Sequence, residues 1–387
     1  MANLFFIPNN IITGENAIRL SMDHITAFGK KALIVTDEAM VKFGNVKKLT
    51  DELDGVGIAY EIYPGINSEP THSMIDAGAV IYKESGCDFL IGIGGGSPLD
   101  SMKAIAVVAA NGGRITEYAG KKIEKDSPPT VAIPTTAGTG SEATKVSIIT
   151  NTDTDVKMLL SDAKLMAKLA VVDPVFTLTV PPSVTAATGI DALTHAVEAF
   201  TSVKAFPMSD IFAESAVVKI FENIQACYTD GSNLSARQQM ATAALEAGIA
   251  FSNASVTIVH GMSRPIGALF HVAHGQSNAM LLNVCLKFLK QGAVPQLCRL
   301  ANGIGVYQDG MMPEEGADAF VNATLALLKT LDVKPIQAFG VSEEDFFRLI
   351  PKMADDALAS GSPGNTRRVP TKDDLMGLYK ELWSEGL

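Results

Sequence analysis

The 387-residue sequence predicts an α/β domain followed by an all-α domain, on three observations. Short β-branched runs alternate with amphipathic stretches through the first 180 residues. The texture turns Ala-rich and helical after Asp173-Pro174, and glycine-rich turns sit where strands should run into helices. The expected boundaries are therefore 1–180 and 181–387.

Taken in order, Lys31–Thr36 reads as a strand ending at Asp37, with a helix from about Glu38. Gly57–Tyr63 is a second strand, Ser73–Ser85 an amphipathic helix, and Phe89–Ile93 a buried strand running into Gly94-Gly95-Gly96-Ser97. A helix over Asp100–Ala110 and a strand over Thr130–Pro134 follow. This rhythm predicts a parallel sheet covered on both faces. Leu4–Ile7 is an apolar strand candidate that could pair at an edge. In the second half Ser183 follows two prolines as an N-cap candidate, and helical periodicity recurs through 183–227, 234–255, 276–303 and 314–331. Gly292 and Gly361–Gly364 read as breaks.

Composition narrows the function. Lys+Arg 31 against Asp+Glu 42 gives −11, which argues against nucleic acid or an anionic membrane as partner. An apolar content of 47% without blocks of like charge excludes disorder. Cys87, Cys227, Cys285 and Cys298 are scattered and read as reduced thiols. The N-terminus lacks a basic leader, and the longest apolar run, Ala104–Ala110, is far short of the ~20 residues of a membrane span. A cytoplasmic location is expected.

Gly92-Ile93-Gly94-Gly95-Gly96-Ser97 follows a strand and opens a helix, so backbone N–H groups and the positive helix end converge where a phosphate would sit. It departs from the G-x-G-x-x-G fingerprint, because Ser97 stands at the third glycine position. Asp37, at a strand end, suits either a ribose hydroxyl or a helix N-cap. Thr135-Thr136-Ala137-Gly138-Thr139-Gly140-Ser141-Glu142 is a second hydroxyl-rich loop after a strand. In the helical half, Asp191 and His195 stand at i and i+4 on one helix face. Four of the six histidines fall at 195, 260, 271 and 274. Such a nitrogen-rich set suits Fe²⁺, Zn²⁺, Co²⁺ or Ni²⁺. His24 and His72 read as surface residues, and the methionines of this half as core filler.

Gly94–Pro98, Thr135–Glu142, Thr185–Glu198, His260-Gly261-Met262 and His274-Gly275 together resemble the iron-containing (group III) alcohol dehydrogenases, essentially end to end. The flavour is that of the 1,3-propanediol dehydrogenases and lactaldehyde reductases. The resemblance implies a dehydroquinate-synthase-like fold, with the active site in a cleft between a dinucleotide-binding domain and a helical domain. It implies NAD and a divalent metal, iron first, acting on small primary alcohols or diols and their aldehydes, in a homodimer or larger homo-oligomer.

By position, Asp191, His195, His260 and His274 match the metal ligands. Gly94, Gly95, Gly96, Ser97 and Asp100 match the pyrophosphate loop; Thr135, Thr136, Thr139, Ser141 and Lys157 match further cofactor contacts; Asp37 matches the residue favouring NAD over NADP. Phe251 matches a side chain near nicotinamide and substrate. One departure stands out: Arg264 occupies the place where many members carry a second histidine four residues after His260. Arg264 either pairs with a local carboxylate or points toward substrate, and His271 is a candidate for proton handling. Two alternatives share the fold: a zinc-dependent glycerol-dehydrogenase-like polyol oxidase, and a dehydroquinate-synthase-like lyase.

Overall fold

The computed structural model describes residues 2–154 and 156–385. The chain divides into two compact units, one spanning Phe6–Val180 and one taking in everything from Pro181 together with the N-terminal segment through Phe5.

The first unit is built on six parallel strands, β1 (Asn10–Thr13), β2 (Lys31–Val35), β3 (Ala59–Tyr63), β4 (Phe89–Gly94), β5 (Thr130–Pro134) and β8 (Leu169–Val172). Their order is β1-β8-β5-β4-β2-β3. Successive side chains of a strand point to opposite faces. Leu33 and Val35 thus join Leu99, Met102 and Ile105 in one core, while Ala32 and Ile34 join Ile18, Ile25, Val46 and Leu49 in the other. The helices that supply these partners are α1 (Ala17–Leu20), α2 (Met22–Thr26), α4 (Asn45–Gly55) and α6 (Gly96–Asn111). The short α3 (Glu38–Lys42) follows β2, and α5 (His72–Glu84) precedes β4. The chain leaves β3 and returns on the other side of β2 as β4, so the strand order reverses there. At such a point an open α/β sheet leaves a crevice outside the strand C-termini.

Several expectations change. Leu4–Ile7 forms no strand; instead the Phe5 ring packs on Phe206 and Phe212, with centroids 6.2 and 5.9 Å away. The helix expected from Asp100 begins four residues earlier, at Gly96, because the glycine turn itself starts it. An antiparallel hairpin, β6 (Val146–Asn151) and β7 (Val156–Ser161), was not expected. His72 is buried, not superficial, and its Nδ1 accepts from the Thr152 N–H at 3.2 Å.

The second unit is helical: α7 (Pro182–Thr201), α8 (Pro207–Thr229), α9 (Leu234–Ala254), α10 (Ile258–Phe270), α11 (His274–Gly303), α12 (Pro313–Thr330), α13 (Glu343–Ala359) and α14 (Lys372–Glu385). The α7 helix is buried almost throughout and touches α8, α9, α10 and α11. It starts at Pro182, capped by Pro181, so Ser183 lies inside the first turn; proline suits that turn because its missing N–H is an orphan there anyway. The expected single helix over 183–227 is two, separated at Ser202–Phe206, where Pro207 opens α8. The break near Gly292 is a kink inside α11, with Ala293 at φ −136° and ψ 29°. No single helix among the described residues is long and apolar enough to cross a membrane.

Candidate active site

In the α/β unit the register of the sheet sets three strand ends side by side. The Thr36 hydroxyl donates to the Ile93 carbonyl at 2.8 Å, and the Thr135 N–H to the Gly94 carbonyl at 2.9 Å. Asp37, Gly94–Gly96 and Thr135 are thereby neighbours along the C-terminal edge. Gly94 has φ +151°, and a Cβ there would lie 2.5 Å from Pro98 Cγ, so only glycine makes this turn. The α6 helix then begins behind Gly95 with no side-chain cap, leaving its first N–H groups for a ligand. The buried Thr135 hydroxyl also has no partner among the described residues.

Asp37 takes up one half of its expected duty: Oδ1 accepts from the Met40 N–H at 2.9 Å and caps α3. Asp100 and Ser141 come together, but as an internal staple. The Ser141 hydroxyl donates to Asp100 Oδ1 at 2.5 Å, and Asp100 Oδ2 accepts from Ile148 N–H at 2.9 Å. Lys103, fully buried and not singled out in the sequence, donates to Ser141 Oγ at 2.8 Å, Thr144 Oγ1 at 3.0 Å and the Val146 carbonyl at 2.9 Å. Beside it Glu142 is buried, and desolvation pushes its carboxyl up to about 7, partly opposed by its own backbone N–H and by Lys103. Thr139 Oγ1 accepts from the Ser141 N–H. Lys157, on β7, pairs with Glu69 at 2.7 Å.

In the helical unit α7 presents Asp191, His195 and Glu198 at i, i+4 and i+7, one stripe of the helix. His260 comes from the first turn of α10 and His274 from the first residue of α11. Gly275 lets α11 close on α7, since a Cβ there would sit 2.8 Å from the Ala187 carbonyl oxygen. Asp191, His195 and His260 offer ligand atoms that all lie within 4.8 Å of one another, and all three residues are buried. His274 Nε2 lies 3.6 Å from Asp191 Oδ1, with its side chain 43% exposed.

Glu198 and Asn278 were missed. Glu198 is fully buried; Oε1 accepts from Thr257 Oγ1 at 2.8 Å and Val259 N–H at 2.6 Å, and Oε2 meets His260 Nδ1 at 2.5 Å. A carboxylate at Nδ1 fixes the proton there and turns the Nε2 lone pair toward Asp191. Asn278 Nδ2 approaches Asp191 Oδ1 at 2.7 Å, His274 Nε2 at 3.1 Å and His260 Nε2 at 3.2 Å. An amide nitrogen has two hydrogens, so it cannot serve three acceptors. The signal for both residues was spacing: seven residues after Asp191, and four after His274.

Lone pairs are in excess here: the buried His195 Nδ1 has no hydrogen-bond partner among the described residues and lies 3.9 Å from Asp191 Oδ2. Desolvation drives His195 down to about 3, so its imidazole is neutral, the form that binds metals. Burial alone would raise the Asp191 carboxyl, but the imidazoles of His195, His274 and His260 and the Asn278 amide bring it below the usual carboxylate value. A carboxylate, the neutral His195 imidazole and two further histidine rings fit a divalent cation of the first transition row.

Phe251 stacks on His195, with centroids 4.1 Å apart. Arg264 lies half-buried one turn after His260; burial lowers its pKa, opposed by Glu198, and no hydrogen bond or ion pair engages it among the described residues. His271 is the exposed C-cap of α10, without a hydrogen bond or ring contact to the Asp191–His260 set among the described residues.

Comparison with known proteins places both halves of the chain in one family. Residues 8–174 match the iron-containing alcohol dehydrogenase family and 185–383 its C-terminal family. The chain is 34% identical to the 1,3-propanediol dehydrogenase of Citrobacter freundii, over 98% of each protein. It is also 34% identical to the NAD-dependent methanol dehydrogenase of Bacillus methanolicus, over 97% of this chain and 98% of that one. The structure of a 1,3-propanediol oxidoreductase superposes with a TM-score of 0.95 at 33% identity, covering 99% of this chain and 100% of the other. On both its halves, then, the chain belongs to the iron-containing alcohol dehydrogenase family.

Proposed function

We propose that the protein interconverts short primary alcohols or diols, 1,3-propanediol among them, and their aldehydes, with NAD as hydride acceptor and Asp191, His195, His260 and His274 holding one divalent metal, iron first. The observation that carries the reading is the cluster of buried ligand atoms on Asp191, His195 and His260, whose unbonded lone pairs a divalent cation would take up. Metal and cofactor together would supply Lewis acidity at the alcohol oxygen and a hydride acceptor at its carbon.

The rest falls to this chain's own residues. Glu198 holds the His260 ring with Nε2 aimed at the site, and Phe251 braces the His195 ring from one face. The first turn of α6 offers its N–H groups to a pyrophosphate, with Ser97 and the Thr135–Thr139 loop alongside. Asp37 keeps Oδ2 for a ribose hydroxyl, where its charge repels a 2′-phosphate. NAD held there would take up the hydride, and the proton of the alcohol would leave to water, the cofactor ribose or His271 at the exposed end of α10. A cytoplasmic homo-oligomer completes the reading. It is supported by four unbonded cysteines and by exposed Leu4, Val203, Met208 and Ile211 on the helical unit.

The test is an alcohol panel with NAD⁺ and NADP⁺ on protein of measured metal content. NADH formation from 1,3-propanediol that tracks metal occupancy is expected. Metal-replete protein that oxidises no alcohol would overturn the reading.

A further inference from the structure

Arg264 is an anomaly of solvation. Half-burying a guanidinium removes water from a group with five donors, and such a group is ordinarily given a carboxylate. Here none is supplied: among the described residues no hydrogen bond or ion pair reaches it. Glu198 is the charged group it senses, and both Glu198 oxygens are already committed to Thr257, Val259 and His260. The scaffold role expected for an arginine at this position therefore lacks its partner.

Its place on α10 sets it one turn from a candidate metal ligand. His260, Arg264 and Gly267 fall at i, i+4 and i+7, one stripe of the helix, which His271 continues at the C-cap. Burial is graded along it: His260 is buried, Arg264 half-buried and His271 exposed. The stripe thus leads outward from the candidate metal ligand, with Cβ atoms of His260 and Arg264 about 5–6 Å apart, as one helical turn requires. Gly267 has no side chain, and the Val272 carbonyl oxygen lies 3.3 Å from where its Cβ would be.

We propose that Arg264 is a specificity-determining residue that receives the carboxylate of a short ω-hydroxy acid, or of the corresponding aldehyde acid, whose hydroxyl end lies at the Asp191–His195–His260 set. This rests on the alcohol–aldehyde reading above. A planar carboxylate matches the guanidinium fork with two parallel hydrogen bonds, and a lysine at this position offers charge without that geometry.

The experiment compares 3-hydroxypropionate with 1-propanol, and 4-hydroxybutyrate with 1-butanol, on metal-loaded wild type, Arg264→Met and Arg264→Lys. Wild type should favour each acid over its alcohol by about tenfold or more in kcat/KM. Arg264→Met should lose about 100-fold on the acids, chiefly through KM, and stay within about threefold on the alcohols. Arg264→Lys should fall between. Calorimetric binding of 3-hydroxypropionate to the NAD⁺ complex should be lost in Arg264→Met while metal content and circular dichroism are kept. Equal losses on acids and alcohols, or a wild type that oxidises alcohols without preferring acids, would overturn the assignment while leaving the alcohol dehydrogenase reading intact. A wild type that oxidises neither would overturn both.

Discussion

Glu198 sets how firmly His260 can serve as a ligand. Replacing it by Gln keeps an acceptor for Thr257 and Val259 but removes the charge that fixes the Nδ1 proton. Glu198→Gln should weaken metal retention by about 10–100-fold with the fold preserved, read as metal left after dialysis against a graded chelator. Asp37 joins an observed cap to the proposed ribose contact, and substitutions separate the two. Asp37→Asn retains the cap on Met40 yet loses the charge, so NADP⁺ use should rise with little change in stability. Asp37→Ala loses both, at a cost of about 0.5–2 kcal/mol. Unchanged NAD⁺/NADP⁺ kcat/KM ratios in both variants would remove Asp37 from cofactor choice. The candidate pair Asp191 and His195 could be read from i, i+4 spacing because a helix makes sequence distance a direction; His260 and His274 enter from other helices. Lys103 could not: besides Asp100 three residues before it, the partners of this buried charge lie 38 to 43 residues away.

At the scale of elements, strands β2, β4 and β5 were legible because they are continuous apolar runs buried on both faces. The β6–β7 hairpin was not, since its exposed face carries Ile148 and Leu159 and Val156 at the end of its buried face is exposed, which blurs the alternation that marks a half-buried strand. That hairpin is tied to α6 through Asp100, Ser147 and Ile148, beside buried Glu142. The Glu142 carboxyl sits at about 7 when folded, against an ordinary 4.5. Between those values the folded chain holds a proton that the unfolded chain has released. Its contribution to stability is full below about 4.5 and is lost as pH rises through about 7. Glu142→Gln, neutral at every pH, should flatten that slope. Urea midpoints followed by circular dichroism at pH 5 and pH 8 would show the variant gaining on wild type at the higher pH; a parallel shift at both would refute it.

For the whole molecule, the single tryptophan is a convenient reporter. Trp383 lies on α14 of the helical unit, 5.1 Å from Phe346 between ring centroids. A ligand present at a hundred times its Kd stabilises the state that binds it by about 2.7 kcal/mol. Chelation should therefore lower the Trp383-monitored midpoint by roughly 5–10 °C. A midpoint indifferent to metal would place the ion elsewhere. The packing of Phe5 on Phe206 and Phe212 has a further consequence, in time rather than space. At 5–20 residues per second, a ribosome delivers those partners about 10–40 s after Phe5 has been made. Through that interval the Phe5 ring stands without its aromatic partners on a nascent chain whose α/β unit is already complete, and only the synthesis of α8 supplies them.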